Sequence, residues 1–170
     1  MTIIHLVRRP NQPSTVRTDR PRRSGQALVE FAIAVIPFLM LLMAVVDLGR
    51  GIYMLNGTSE AARDIARVTS VHQWTTPGVK DLGTSAEAAA VIGTQRGLIP
   101  NLTINPSVDI VCVDYLDDVI ADDACQSGKK TDGIPNYVRV HVTAPFVPIT
   151  PLVSAFGSHV FDSTSRIQVP

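Results

Sequence analysis

The residues best placed to do chemistry in this sequence are a glycine and a glutamate at the start of a long apolar stretch. Gly25 ends a basic arm, and Glu30 is the fifth residue after it. A charge costs about 2.5–3.5 kcal/mol at the centre of a membrane helix and less near its end, so the carboxylate of Glu30 needs a partner. A cut after Gly25 would supply one, the new α-amino group of Gln26, on this chain or a neighbour. The alternative is a carboxylate that only reaches out to the membrane surface.

The element that positions these residues is the apolar stretch itself. From Phe31 to Val46 there is no charged or strongly polar side chain. Residues 27–48 would form a helix roughly 33 Å long at ~1.5 Å per residue, which matches the roughly 30 Å hydrocarbon core of a bilayer. Pro37 lies inside this stretch and is expected to kink the helix. A buried core helix is the alternative, but a chain of 170 residues has too little other mass to cover it on all sides.

Charge is distributed unevenly, although the whole chain has zero net charge. Residues 1–25 carry +5 and the remaining residues carry −5. The positive-inside rule therefore places the N-terminus in the cytoplasm and residues 50–170 on the other side of the membrane. A basic arm can also bind nucleic acid, but here a membrane-length apolar stretch follows it. We therefore expect a lipid bilayer, and no nucleic acid, among the partners.

An ordinary secretory signal does not fit this N-terminus. Such a signal has a short basic start, an apolar run of about 7–15 residues and a small-x-small cleavage site after it. Here the basic arm and the apolar run are both longer, and no such site follows. The sequence therefore predicts that the apolar helix is retained as a single-pass anchor.

The junction resembles the start of a known family. The residues Ser-Gly-Gln-Ala-Leu-Val-Glu-Phe-Ala-Ile-Ala-Val-Ile-Pro (24–37) resemble the start of TadE-like proteins, minor pseudopilins of the tight-adherence (Flp, type IVc) pilus system. The similarity extends through Val46-Asp-Leu-Gly-Arg50 and Ala61-Ala-Arg-Asp-Ile-Ala-Arg67. The resemblance implies cleavage between Gly25 and Gln26 by a prepilin peptidase, with Glu30 used in recognition or assembly. Gln26 departs from the aromatic or Met that most type IV prepilins carry there.

The rest of the chain predicts an α+β fold, with a long N-terminal helix followed by a small antiparallel sheet. An apolar stripe at helical spacing continues the helix to about residue 70, and it consists of Leu48, Ile52, Leu55, Ala62, Ile65, Ala66 and Val68 or Thr69. Residues 71–106 read as a linker with a short helix over 85–95. From residue 107 the pattern becomes β-rich, with alternation at 108–113 and 138–143 and a third strand at 159–169.

An acidic loop between the first two strands could bind a cation. It contains Asp117, Asp118, Asp122 and Asp123, and clustered carboxylates suit calcium, although the EF-hand spacing is absent and a solvated loop is the commoner explanation. Cys112 and Cys125 would lie in an oxidising compartment, where a disulfide is expected. No phosphate-binding loop, His-Glu-x-x-His or Gly-x-Ser-x-Gly motif occurs, so we expect neither an enzyme nor a cofactor.

The sequence therefore predicts a membrane-anchored pseudopilin that acts through other pilus subunits and assembly proteins. Two alternatives remain, an unprocessed bitopic scaffold and a calcium-binding extracytoplasmic module. Residence in the membrane and incorporation into the fibre are both open.

Overall fold

The structure, a computed structural model, describes residues 23–72, 82–125, 130–155 and 157–170. Most of the basic leader (1–25) and the part of the linker at 73–81 lie outside the described residues. The α+β prediction is confirmed, since a long helix precedes a small antiparallel sheet. The elements in chain order are α1 (Arg23–Val71), α2 (Ala86–Leu98), α3 (Pro106–Asp109), β1 (Ile110–Val113), β2 (Val119–Ile120), a 3-10 turn (Asp122–Cys125), β3 (Lys130–Thr131), β4 (Ile134–Pro135), β5 (Tyr137–Phe146), α4 (Pro151–Ser154) and β6 (His159–Gln168).

The chain divides into two units, Met1–Pro37 and Phe38–Pro170. In the first unit, the described residues form the opening turns of α1, and from Gly25 onward their side chains are exposed except for the half-buried Val35. The second unit contains the rest of α1 and every other described element.

The main sheet has four antiparallel strands in the order β2-β1-β5-β6. Strands β5 and β6 pair along their full lengths, from Tyr137 opposite Gln168 to Phe146 opposite His159. Along β5 every second side chain is buried, which is the period of two that a strand with one covered face must show. This alternation places Val138, Val140 and Val142 in the core with no exposed surface.

The outer part of α1 supplies the other wall of the core. Its buried residues share one cluster with those of the sheet, and they include Ile65, Ala61, Ala62 and Ala66. Helix α2 begins at its cap Ser85, whose hydroxyl accepts from Ala88 N at 3.1 Å. The chain after α2 then lies close to α1.

Two side-chain hydrogen bonds and one close approach join α1 to the end of α2. The Tyr53 hydroxyl donates to Leu98 O at 3.1 Å, and Gln95 Nε2 donates to Asp64 Oδ2 at 2.9 Å. A Cβ at Gly57 would lie 3.1 Å from the side chain of Ile99, so a residue without a side chain suits that contact. Helix α1 thus packs against the sheet and also contacts the end of α2.

The start of the first strand was predicted too early. Residues 106–109 form helix α3, and Val108 lies there with 66% of its surface exposed. Asn105 caps this turn by accepting from Ser107 N at 3.2 Å, and Pro106 occupies its first position, where a missing N–H costs nothing. The strand therefore begins only at Ile110.

The apolar stripe predicted for α1 is buried only in its outer part, where Ala62, Ile65 and Ala66 have no exposed surface. Its first members, Leu48, Ile52 and Leu55, have exposed fractions of 64%, 51% and 46%. The residues that are buried along this first part of the helix are instead mostly small or polar: Asp47, Met54, Thr58 and Ala61. Small residues let a helix approach a sheet closely, so they form the contact even though they contribute little to an apolar pattern.

Candidate functional site

The predicted processing residues occupy the first turns of α1. Gln26 Nε2 donates to Glu30 Oε1 at 3.1 Å, and both side chains are exposed. This spacing of four places Glu30 one helical turn from Gln26, the residue whose amino group a cut after Gly25 would release. A Cβ at Gly25 would meet nothing within 4 Å. All three residues are therefore accessible, and Gln26 and Glu30 lie on one face of the helix.

The apolar segment Phe31–Val46 is exposed except at Val35 and Ala44, which are half-buried. The exposed fractions are 66% for Phe31, 61% for Leu41 and 56% for Val46. The helix is long and apolar enough to cross a membrane, with a mean hydropathy of 2.6 in its most apolar window and none of that window buried by the rest of the chain. A core helix would be covered on at least one face, so these values favour contact with lipid or with another protein.

The same helix continues into the folded domain. Met54, Ile65 and Ala66 lie in the core, on the helix that begins at Arg23.

Asp47 follows the apolar segment directly and is the buried acid that sequence reasoning did not assign. Only 2% of its side chain is exposed. Its carboxylate accepts from Thr150 N at 2.7 Å, from Ile149 N at 3.0 Å and from Arg50 Nη1 at 3.2 Å. A carboxylate only accepts hydrogen bonds, so it matches a site that presents three donors. In the sequence this residue is visible as an isolated acid at the end of an apolar run. The neighbouring residues do not indicate which backbone groups it binds.

An apolar groove lies beside Asp47, with a volume of about 450 Å³. The rings of Phe146 and Phe161 pack there at 5.7 Å between centroids, and the Arg50 guanidinium lies 5.6 Å from the Phe146 centroid. A Cβ at Gly51 would touch both rings at 3.8 and 3.9 Å. The other lining residues are Ala44, Leu48, Ile52, Leu55, Val153 and His159.

Cys112 and Cys125 are joined by a disulfide, with an S–S distance of 2.08 Å and a Cα–Cα distance of 5.6 Å. The bond ties β1 to the 3-10 turn, and both residues are fully buried. In the chain-entropy account, closing a loop of about this length stabilises a fold by about 3 kcal/mol.

Acids of the loop contact other protein groups in the described part of the chain. Asp117 forms an ion pair with Arg139 at 2.9 Å, whereas Asp122 Oδ2 accepts from Leu82 N at 3.4 Å. Among the described residues, no three His, Cys, Asp or Glu side chains are grouped so that they could hold a metal ion. The structure therefore gives no support to calcium at Asp117, Asp118, Asp122 and Asp123.

The fold and the exposed helix define a class of protein, an α+β domain on one N-terminal helix that is suited to crossing a membrane. A family model described as TadE-like protein matches residues 25–67. The match confirms the resemblance found in the sequence, and it covers Gly25, the apolar segment, Asp47 and the Ala-Ala-Arg end of the helix. No curated protein and no solved structure gives a significant match to the chain. Together the family match and the helix indicate a membrane-anchored, pilus-related protein.

Proposed function

We propose that this chain is a minor pseudopilin of a tight-adherence pilus, held in the bacterial inner membrane by Phe31–Val46. The observation that carries the proposal is the exposed apolar helix that continues into the domain core, within the region that matches TadE-like proteins. In this proposal the chain is not an enzyme and needs no cofactor. It acts by contacts with other pilus subunits and with assembly proteins.

The proposed orientation has the N-terminus in the cytoplasm and the sheet domain outside. The +5 charge of residues 1–25 supports it through the positive-inside rule. The Cys112–Cys125 disulfide supports it as well, because disulfides persist in extracytoplasmic compartments and are rare in the cytosol.

The proposed maturation is a cut between Gly25 and Gln26 by a prepilin peptidase. Exposure of both residues supports it, as does the position of Glu30 one turn further along the helix. The α-amino group released at Gln26 could then neutralise the Glu30 carboxylate of this subunit or of a neighbour as the helix enters lipid or packs into a fibre.

Mass spectrometry of the mature N-terminus tests the proposal. In cells that contain the peptidase, the wild-type chain is expected to begin at Gln26, and in cells without it the chain keeps the basic arm. Gly25→Val is expected to block the cut. Gly49→Val is the matched control, because a Cβ at Gly49 also meets nothing within 4 Å and the residue lies on the same helix. An intact arm in wild-type cells would favour the unprocessed bitopic scaffold instead.

Glu30→Gln separates the two roles proposed for the carboxylate. If Glu30 is used in recognition, this variant remains uncut. If it supplies charge for assembly, the variant is cut at Gln26 but is not recovered with other pilus subunits after cross-linking.

A further inference from the structure

The connection between β5 and β6 exposes a group of apolar side chains. In this connection Val147 and Ile149 have exposed fractions of 63% and 65%. Residues 140–161 contain no Asp, Glu, Lys or Arg. Single exposed apolar residues are ordinary, but a charge-free connection that turns two outward marks a contact surface. We call residues 147–153 the base loop.

Asp47 fixes the base loop at one level of helix α1. Its carboxylate binds the N–H groups of Ile149 and Thr150, and it comes directly after Val46, the last residue of the apolar segment. The apolar groove beside it is lined by Ala44 from that segment and by Val153 from the base loop. The exposed apolar residues of the domain are therefore continuous with the surface of the helix that suits lipid.

The backbone from Pro148 to Pro151, at the centre of the base loop, has every N–H group absent or bonded. Pro148 and Pro151 have no N–H, and the N–H groups of Ile149 and Thr150 are bonded to Asp47. An unpaired backbone donor is costly in a poorly hydrated environment, so this part of the loop enters the membrane interface at a lower cost than a segment with free donors.

We propose that the base loop inserts into the boundary between headgroups and acyl chains of the bilayer in which α1 is anchored. Interfacial segments typically bury their apolar side by roughly 5–10 Å, and the exposed aliphatic side chains of Val147 and Ile149 on a short loop suit that depth. Arg50 lies one turn beyond Asp47, at the level where lipid phosphates would be, with its side chain 43% exposed. The inference rests on the proposed membrane anchoring and adds a second, shallow contact that holds the domain against the membrane surface.

Depth-dependent fluorescence quenching in the full chain tests this inference. Trp74, the only tryptophan, is replaced by Phe, and one new tryptophan is introduced in each of three variants, at Leu41, Ile149 or Leu116. The proteins are reconstituted at low protein-to-lipid ratio in phosphatidylcholine vesicles that carry bromine either close to the headgroup or deep in the acyl chains. Aqueous iodide reports exposure to water. Val147→Trp provides a second probe of the base loop.

Leu116→Trp is the matched control, because Leu116 has the same exposed fraction, 65%, as Ile149. Leu116 lies near the end of β5 that is far from Phe146. Its N–H donates to Asp114, which follows Val113, and Val113 pairs with Tyr137 at that end. These two ends are roughly 30 Å apart at ~3.3 Å per residue.

We expect shallow bromine to quench the fluorescence of Ile149→Trp and Val147→Trp, and deep bromine to quench that of Leu41→Trp. Neither position of bromine should quench Leu116→Trp. If Leu41→Trp is quenched while both base-loop probes respond only to iodide, the anchoring stands and the inference is overturned. It is also overturned if those probes are shielded from iodide and bromine alike, since a protein partner would then cover the loop. A Leu41→Trp that bromine does not quench would overturn both the anchoring and the inference.

Discussion

At Asp47, one carboxylate receives the backbone N–H groups of Ile149 and Thr150, which lie 102 and 103 positions later in the chain. Arg50 adds a charged donor from the next turn of the helix. Hydrogen bonds to an ionised acceptor are stronger than neutral ones, and they are sensitive to geometry. This side chain therefore sets where the base loop meets α1.

Replacing Asp47 is expected to destabilise this junction. Asp47→Ala removes every acceptor and leaves the two N–H groups unpaired, so it should lower the Tm of the purified chain clearly. Asp47→Asn keeps one acceptor oxygen and should lower the Tm less. Glu60→Gln, at an exposed acid of the same helix, is the control and should leave the Tm unchanged. Thermal melting of the three variants in one detergent is the measurement, and an Asp47→Ala protein that melts like wild type would contradict this role.

The partner of Asp47 could not be read from the sequence. The resemblance region included Val46-Asp-Leu-Gly-Arg50, so the acid was visible, but helical spacing relates it only to neighbours such as Arg50. Its main donors belong to a loop whose position depends on how β5 and β6 pack against α1. By contrast, Gly25, Gln26 and Glu30 could be proposed as a site from the sequence, because their relation is local and one helical turn determines it.

At the scale of elements, α1 has different surroundings along its length. From Phe31 to Val46 its side chains are mostly exposed, whereas further along it buries a stripe of small and aliphatic residues against the sheet and α2. Ile65 is fully buried on this stripe, and Ile52 is 51% exposed. The two isoleucines therefore allow the same change to be made on opposite faces of one helix.

Ile65→Ala is expected to lower the free energy of unfolding by about 2–5 kcal/mol, because it removes buried methyl groups and leaves a cavity. Ile52→Ala, the matched control, should change it by no more than about 0.5 kcal/mol. Urea denaturation in mild detergent, followed by circular dichroism of the sheet, compares the two variants. Equal losses would mean that Ile52 also packs in the core, as the predicted stripe has it and the structure does not.

The reliability of sequence patterns differed between elements for physical reasons. Alternation located β5, because a strand with one buried face must repeat every second residue. The same alternation began too early at Val108, because the Asn105 cap and Pro106 favour a helical turn there. On α1 the burial of Thr58 and Ala61 was missed, since hydropathy gives little weight to small residues that permit close packing.

At the scale of the whole molecule, the α+β layout followed from a membrane-length helix and a β-rich remainder. Both are features of composition over long stretches of the chain. The predicted layout therefore remained correct although individual element boundaries were wrong by several residues. What composition could not provide was the arrangement of the sheet domain at the end of the apolar segment. The base loop became visible only when Asp47 and residues 149–150 were seen together.

The central claim is that the exposed apolar helix anchors the folded domain in a lipid bilayer. Extraction of bacterial membranes with alkaline carbonate tests it most directly, because this treatment releases peripheral proteins and leaves spanning helices in the bilayer. The full chain is expected to stay in the membrane pellet, and so is Gly49→Val, the variant used above as the control for Gly25→Val. Recovery of the wild-type chain in the carbonate supernatant, or free in the soluble fraction before extraction, would contradict the account.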